Sequence, residues 1–179
     1  MLKISTNGFV NKSAAMSSTN KSDFVQVIQR HQGIINSICR FYYIDDEDVK
    51  DARQDIILQL WKSSPTFRGE SKISTWIYRV ALNTIISKVK SERKNNVNES
   101  LSDIHLNNNA VLHSEERDDI QQLLFLVNQL EATDKGIMIL HFEGYSNKEI
   151  AETLKLSPTN ISTRMNRIKT KLKETFKVF

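Results

Sequence analysis

The apolar positions of this chain fall into helical stripes separated by polar breaks. From Lys21 to about Tyr43, Phe24, Val27, Ile28, Ile35, Ile38 and Tyr42 keep a helical period behind a start at Ser22 or Asp23. In DVKDARQDIILQLWKS, Val49, Ala52, Ile56 and Leu60 share one face, while Asp48, Asp51, Asp55 and Gln59 share another. The acids that open this segment also complement a helix dipole. Pro65 and Gly69 bracket a loop, after which Ile73, Trp76, Ile77, Val80, Ala81, Ile85 and Val89 define a third helix. Further on, Ile120, Leu123, Leu124, Val127 and Leu130 make one apolar face. Thr133 or Asp134 is expected to cap the next helix, with Ile137, Leu140 and His141 turned inward and Gly144 at its end.

The most informative stretch is YSNKEIAETLKLSPTNISTRMNRIKTKL, Tyr145 to Leu172. Ser146 followed by Glu149 is a capping box, so a helix starts there. Ile150 and Leu154, with small Ala151 between them, let a second helix approach closely. Ser157 caps that second helix and Pro158 occupies its first position, where the missing amide is no loss. Ile161, Met165, Ile168 and Leu172 then form its buried stripe. The opposite face carries Thr159, Asn160, Ser162, Thr163, Arg164, Arg167 and Lys171. Short polar side chains at the start of a helix, with arginines a turn later, suit base edges first and phosphates second. The pattern alone also suits a solvated basic face or a packing module.

Composition divides the chain. The 179 residues include 39% hydrophobic and 26% charged residues, ordinary for one large or two small folded domains. Residues 1–20 are rich in Ser, Asn, Thr and Lys without a period and are expected to form a disordered tail. Residues 21–94 hold the first helical domain, 95–116 an acidic Asn/Ser-rich flexible linker, and 117–179 the second domain. Net charge is only +4, but it is concentrated: Ser157 to Phe179 carries six Lys/Arg against Glu174, whereas 95–116 carries four acids and no Lys or Arg. No apolar run reaches the roughly 20 residues of a membrane span, and the start has no signal-peptide core, so the expected location is cytoplasmic. The one cysteine, Cys39, lies among Ile35, Ile38 and Tyr42 and is expected in the core. The four histidines have no partners at ligand spacing; no metal and no cofactor are expected.

Two motif sets then coincide. Asp51-Ala52-Arg53-Gln54-Asp55 leading to Trp61, Phe67-Arg68-Gly69-Glu70-Ser71, and Thr75-Trp76-Ile77-Tyr78-Arg79-Val80-Ala81-Leu82-Asn83 resemble region 2 of the sigma-70 superfamily, in its extracytoplasmic-function group. Glu143-Gly144-Tyr145-Ser146-Asn147-Lys148-Glu149-Ile150-Ala151 and the segment from Ser157 to Arg167 resemble the helix-turn-helix of region 4. The two sets stand in the family's order and span nearly everything from Phe24 to Phe176.

The resemblance implies an all-α protein of two small helical domains. It implies a promoter-specificity subunit of RNA polymerase, not an enzyme, that binds the clamp helices and flap of core polymerase and promoter DNA, with an anti-sigma factor as a further class of partner. No small-molecule substrate follows from it. Asp48, Asp51, Gln54, Asp55 and Gln59 match the polymerase-binding surface. Phe67, Arg68, Ser71, Lys72, Arg79 and Asn83 match the part that opens and reads the minus-10 element. Thr159, Asn160, Ser162, Thr163, Arg164, Arg167 and Lys171 match the reader of the minus-35 element. Trp76 lies on the apolar stripe and is expected in the core rather than as a stacking platform. Four positions depart from the usual motif: Ala52 for Leu, Glu131 for Pro, Lys155 for Gly in the turn, and Ser162 for a basic residue. Lys155 must then accept a positive φ or change the turn. The competing class is a stand-alone helix-turn-helix regulator.

Overall fold

A computed structural model describes residues 21–98, 127 and 129–176. The tail 1–20, most of the linker and the start of the Ile120–Leu130 stripe lie outside the described residues. The described residues form six α-helices and no strand: α1 (Lys21–Tyr42), α2 (Asp46–Ser63), α3 (Ile73–Asn98), α4 (Ala132–Phe142), α5 (Asn147–Leu154) and α6 (Pro158–Phe176). A single 3-10 turn, Ser64–Thr66, follows α2.

Local chemistry sets most of the boundaries. Asp45 caps α2 by accepting from the amides of Glu47 (2.8 Å) and Asp48 (3.4 Å), and Asp46, Glu47 and Asp48 fill its first turn. The capping box forms: the Ser146 amide donates to Glu149 at 2.8 Å, and Ser146 Oγ accepts from the Glu149 amide at 3.4 Å. Ser157 Oγ accepts from the Asn160 amide at 3.2 Å at the start of α6. Lys155 closes α5 in the left-handed region, φ 56°, ψ 44°, a conformation that glycine adopts at lower cost.

Two expectations about α4 need correction. Its N-cap is Glu131, not Thr133 or Asp134, and no side chain caps it. His141 is exposed rather than inward. The physical reason is the helix's position: every residue from Ala132 to Met138 is buried, because α4 is covered on one side by α1 and α3 and on the other by α5 and α6.

Cys39, Ile38, Ile56, Leu60, Ile77 and Leu82 are fully buried among α1, α2 and α3. The same cluster continues without a break through Ile137, Leu140, Ile150, Leu154 and Ile161 of α4, α5 and α6. The two helical groups therefore share one core. Polar contacts reinforce the junction: Tyr42 Oη donates to the Ala132 carbonyl at 2.7 Å, the Thr75 and Tyr145 hydroxyls lie 3.1 Å apart, and Asn83 Nδ2 donates to the Thr153 carbonyl at 3.0 Å. At Gly136 the helices come so close that an added Cβ would lie 3.0 Å from Ile86 Cδ1 and 3.2 Å from Tyr42 Oη.

Candidate nucleic-acid and polymerase interfaces

The face of α2 expected to meet polymerase follows from its two-sided pattern. With Val49, Ala52, Ile56 and Leu60 buried, Asp48, Asp51, Gln54, Asp55 and Gln59 are all exposed. Beside them Leu58 is 50% and Trp61 41% exposed, and Phe24 meets the Trp61 ring edge-on at 5.0 Å. Exposed apolar groups next to acidic and amide side chains make this face a candidate contact surface. Asp55 is already engaged, accepting from Lys88 Nζ at 2.6 Å; that hydrogen bond raises the Lys88 pKa.

The second site is a cavity of about 940 Å³, at the upper end of the roughly 300–1,000 Å³ typical of ligand pockets. The loop after the 3-10 turn and the first half of α3 build it. Phe67, Arg68, Ser71, Arg79 and Asn83 line it, five of the six residues expected at the minus-10 element; Lys72 lies outside the lining. Phe67 is only 9% exposed and packs on Trp76, ring centroids 5.2 Å apart, so it forms part of the cavity wall. Trp76 is buried, as its place on the stripe requires. Arg79 Nε is buried without a hydrogen-bond partner, a donor whose desolvation costs about 1–3 kcal/mol until an acceptor arrives. Arg68, Arg79 and Lys155 stand against Glu70, so the lining is basic. Gln59, Thr84 and Lys155 also line this cavity, and sequence reasoning did not place them there. Lys155 comes from the helix-turn-helix, on the other side of the shared core. Asn83 is held by the Arg79 carbonyl (2.6 Å) and by the Thr153 carbonyl of α5.

The third site is the outer face of α6. Thr159, Asn160, Ser162, Thr163, Arg167 and Lys171 are exposed, while Ile161, Met165 and Ile168 are buried as the stripe predicts. Thr163 returns its hydroxyl to the Thr159 carbonyl at 3.0 Å, and Ser162 to the Pro158 carbonyl at 3.1 Å. Arg164 is less available: its side chain is 25% exposed. Its Nε donates to Asn160 Oδ1 (3.0 Å), and its Nη1 donates to Asp134 Oδ1 (2.6 Å) and Glu131 Oε2 (3.3 Å). The bond to Asp134 is the main reason its pKa is raised. Arg167 Nη2 takes the other oxygen of Asp134 at 3.0 Å. The sequence offered Asp134 only as a helix cap, because an acid at a helix start signals no more than a cap or a favourable dipole contact, and gave no sign that it meets α6.

Comparisons with known proteins identify the family. The family profile for Sigma-70 region 2 matches residues 27–95, and that for Sigma-70 region 4 matches residues 120–172. The chain is 25% identical over 164 residues to the ECF RNA polymerase sigma-E factor of Haemophilus influenzae, covering 83% of this chain and 84% of that protein. It is 28% identical over 132 residues to the RNA polymerase sigma factor SigZ of Bacillus subtilis, covering 73% of each. In fold it is similar to the sigma factor RpoE of Bartonella quintana, solved with the anti-sigma factor NepR (TM-score 0.65, 21% identity, 88% of this chain and 98% of that one). It is also similar to CnrH, solved with the cytosolic domain of CnrY (TM-score 0.63, 20% identity, 93% and 95%). The region 2 match, which a stand-alone helix-turn-helix regulator has no reason to carry, disfavours that alternative. The chain belongs to the sigma-70 superfamily and, within it, to the extracytoplasmic-function sigma factors, which direct core RNA polymerase to promoters.

Proposed function

We propose that the three surfaces divide the work of promoter recognition, with residues 21–94 acting as region 2 and residues 117–179 as region 4. The exposed face of α2, with Asp48, Asp51, Gln54, Asp55 and Gln59 beside Leu58 and Trp61, meets the polymerase clamp. The cavity receives a nucleotide of the opened minus-10 element: Arg68, Arg79 and Lys72 attract the phosphate chain, Phe67 and Trp76 give an apolar wall, and Ser71 and Asn83 offer polar groups to a base edge. Extruding a base costs a few kcal/mol, which such a wall and such donors offset. The outer face of α6 reads the minus-35 element in the major groove. No group transfers a bond in this scheme, so the chain acts by binding rather than by catalysis, in the cytoplasm with polymerase. No described helix is long and apolar enough to cross a membrane. An anti-sigma factor is a partner of the kind solved with RpoE.

The observation that carries this reading is the cavity, which gathers five of the six residues expected at the minus-10 element in a lining made basic by Arg68, Arg79 and Lys155. The same geometry implies a conformational step. Elements centred 25 base pairs apart are separated by about 85 Å at 3.4 Å per pair. A compact chain of this length has a radius of gyration of about 16 Å. The closed arrangement cannot reach both elements, so α4, α5 and α6 must leave α1 and α3 when polymerase presents the promoter. Opening also releases Asn83 from Thr153 and lifts Lys155 off the cavity. The assignment of the α2 face is tested by binding to core polymerase. Replacing Asp48, Asp51 and Gln54 together by Ala should weaken affinity about tenfold or more, ~1.4 kcal/mol. Unchanged affinity in the folded variant would remove this face from the polymerase contact.

A further inference from the structure

The two arginines of α6 share one carboxylate, and this is the least expected feature of the minus-35 face. Asp134 sits in the first turn of α4 with its side chain 5% exposed, while its two oxygens accept one from Arg164 and one from Arg167. A carboxylate so placed cannot itself meet DNA. Neither is it a rim ion pair, since it lies under both guanidinium groups. Arg164 is held at three points: by Asn160 on its own helix, and by Asp134 and Glu131 from α4. Arg167 is tied once and its side chain remains 51% exposed.

We infer that Asp134 is a positioning residue for minus-35 reading: it fixes the fork of Arg164 against α4 and aims that of Arg167 outward, so that both meet DNA in one preset orientation. The inference rests on the assignment of α6 as the minus-35 reader. A guanidinium carries five N–H donors in a rigid plane, and one carboxylate oxygen on each arginine leaves further donors for a phosphate or a guanine. Long side chains lose rotamer freedom when they contact DNA. A buried anchor takes that loss during folding instead, and a fork held in one orientation gains from it only where the acceptors on the base edges match that orientation. Asp134 also separates two like charges three residues apart on α6, which would otherwise repel each other.

The inference makes a prediction opposite to that of net charge. Asp134→Asn adds one unit of positive charge next to the DNA face, so a purely electrostatic view expects tighter binding to every sequence. Positioning instead predicts loss of discrimination. The test is transcription by core polymerase with the full-length chain on templates carrying a randomised minus-35 hexamer, with transcript sequences counted. Asp134→Asn should reduce the enrichment of the best hexamers over the average about tenfold, with Asp134→Glu restoring part of it and the level from scrambled hexamers not reduced. Unchanged enrichment in a folded Asp134→Asn variant would overturn the inference. No enrichment with the unaltered chain would instead overturn the minus-35 assignment of α6, and the inference with it. A second measurement needs no variant: NMR relaxation of the arginine Nε–H groups of the unaltered chain without DNA. Arg164 should be as ordered as the backbone of α6, whereas exposed Arg68 should be mobile. Equal mobility of the two would also overturn it.

Discussion

Gly136→Val probes the shared core more sharply than any other single change. Gly136 lies where α4 crosses α1 and α3, and a Cβ there would meet Ile86 Cδ1 at 3.0 Å and Tyr42 Oη at 3.2 Å. Both neighbours are ends of side chains, so a single methyl is absorbed by shifts of a few tenths of an ångström. Gly136→Ala should then be close to neutral, since removing a mid-helix glycine returns roughly 0.8–1.0 kcal/mol. Two further methyls cannot be absorbed. Overpacking costs about 1–3 kcal/mol, and displacing Tyr42 also breaks its 2.7 Å bond to the Ala132 carbonyl, worth about 1 kcal/mol. The clash falls between the helical groups rather than within either, so Gly136→Val should part them without melting them. In small-angle scattering the radius of gyration should rise, while helical circular dichroism stays within a few per cent. Binding of the free chain to a single-stranded minus-10 oligonucleotide should strengthen as Asn83 and the cavity are uncovered. An unchanged radius together with unchanged thermal stability would show that the groups do not pack at Gly136, and the closed arrangement would be wrong.

Two other changes address single residues. Lys155→Gly removes the left-handed strain at the α5–α6 turn and should stabilise the chain by about 1 kcal/mol in urea unfolding, whereas destabilisation would mean that the turn is not left-handed in solution. Lys135 is buried beneath the Tyr42 ring, and burial, with Arg93 nearby, pushes its pKa down to about 8 from 10.5. Because its folded pKa is depressed, the unfolded chain binds the extra proton, so the penalty is complete below pH 8 and is relieved as pH rises from about 8 toward 10.5. Lys135→Met should therefore stabilise the chain at pH 7 by about 1–3 kcal/mol and flatten the rise of stability between pH 8 and 9.5. A variant with the same slope as the parent would clear Lys135 of this role.

The helices themselves were legible because each announces itself locally. The α6 stripe put Ile161, Met165 and Ile168 inward, the capping box at Ser146 formed, and Cys39 and Trp76 entered the core. Of the two outcomes open to Lys155, a positive φ or a changed turn, it took the positive φ. The residues expected at the minus-10 element came only from the resemblance, since Phe67 and Asn83 are 16 residues apart and nothing periodic links them. What remained hidden depends on partners far along the chain. Tyr42 and Ala132 are 90 residues apart, Asn83 and Thr153 are 70, and Asp134 and Arg164 are 30. No local pattern encodes such pairs, which is why the use of Asp134, the burial of α4 on both sides and the exposure of His141 came only from the structure.

The central claim is that this chain gives core polymerase its promoter. It is tested most directly by run-off transcription with purified core polymerase and the full-length chain on a library of random upstream sequences. The account predicts transcripts with defined starts, from templates sharing two short elements about 25 base pairs apart, and their loss when Arg79 and Asn83 are both replaced by Ala. Polymerase that starts at no defined site with folded chain present, or at the same sites without it, would contradict the account.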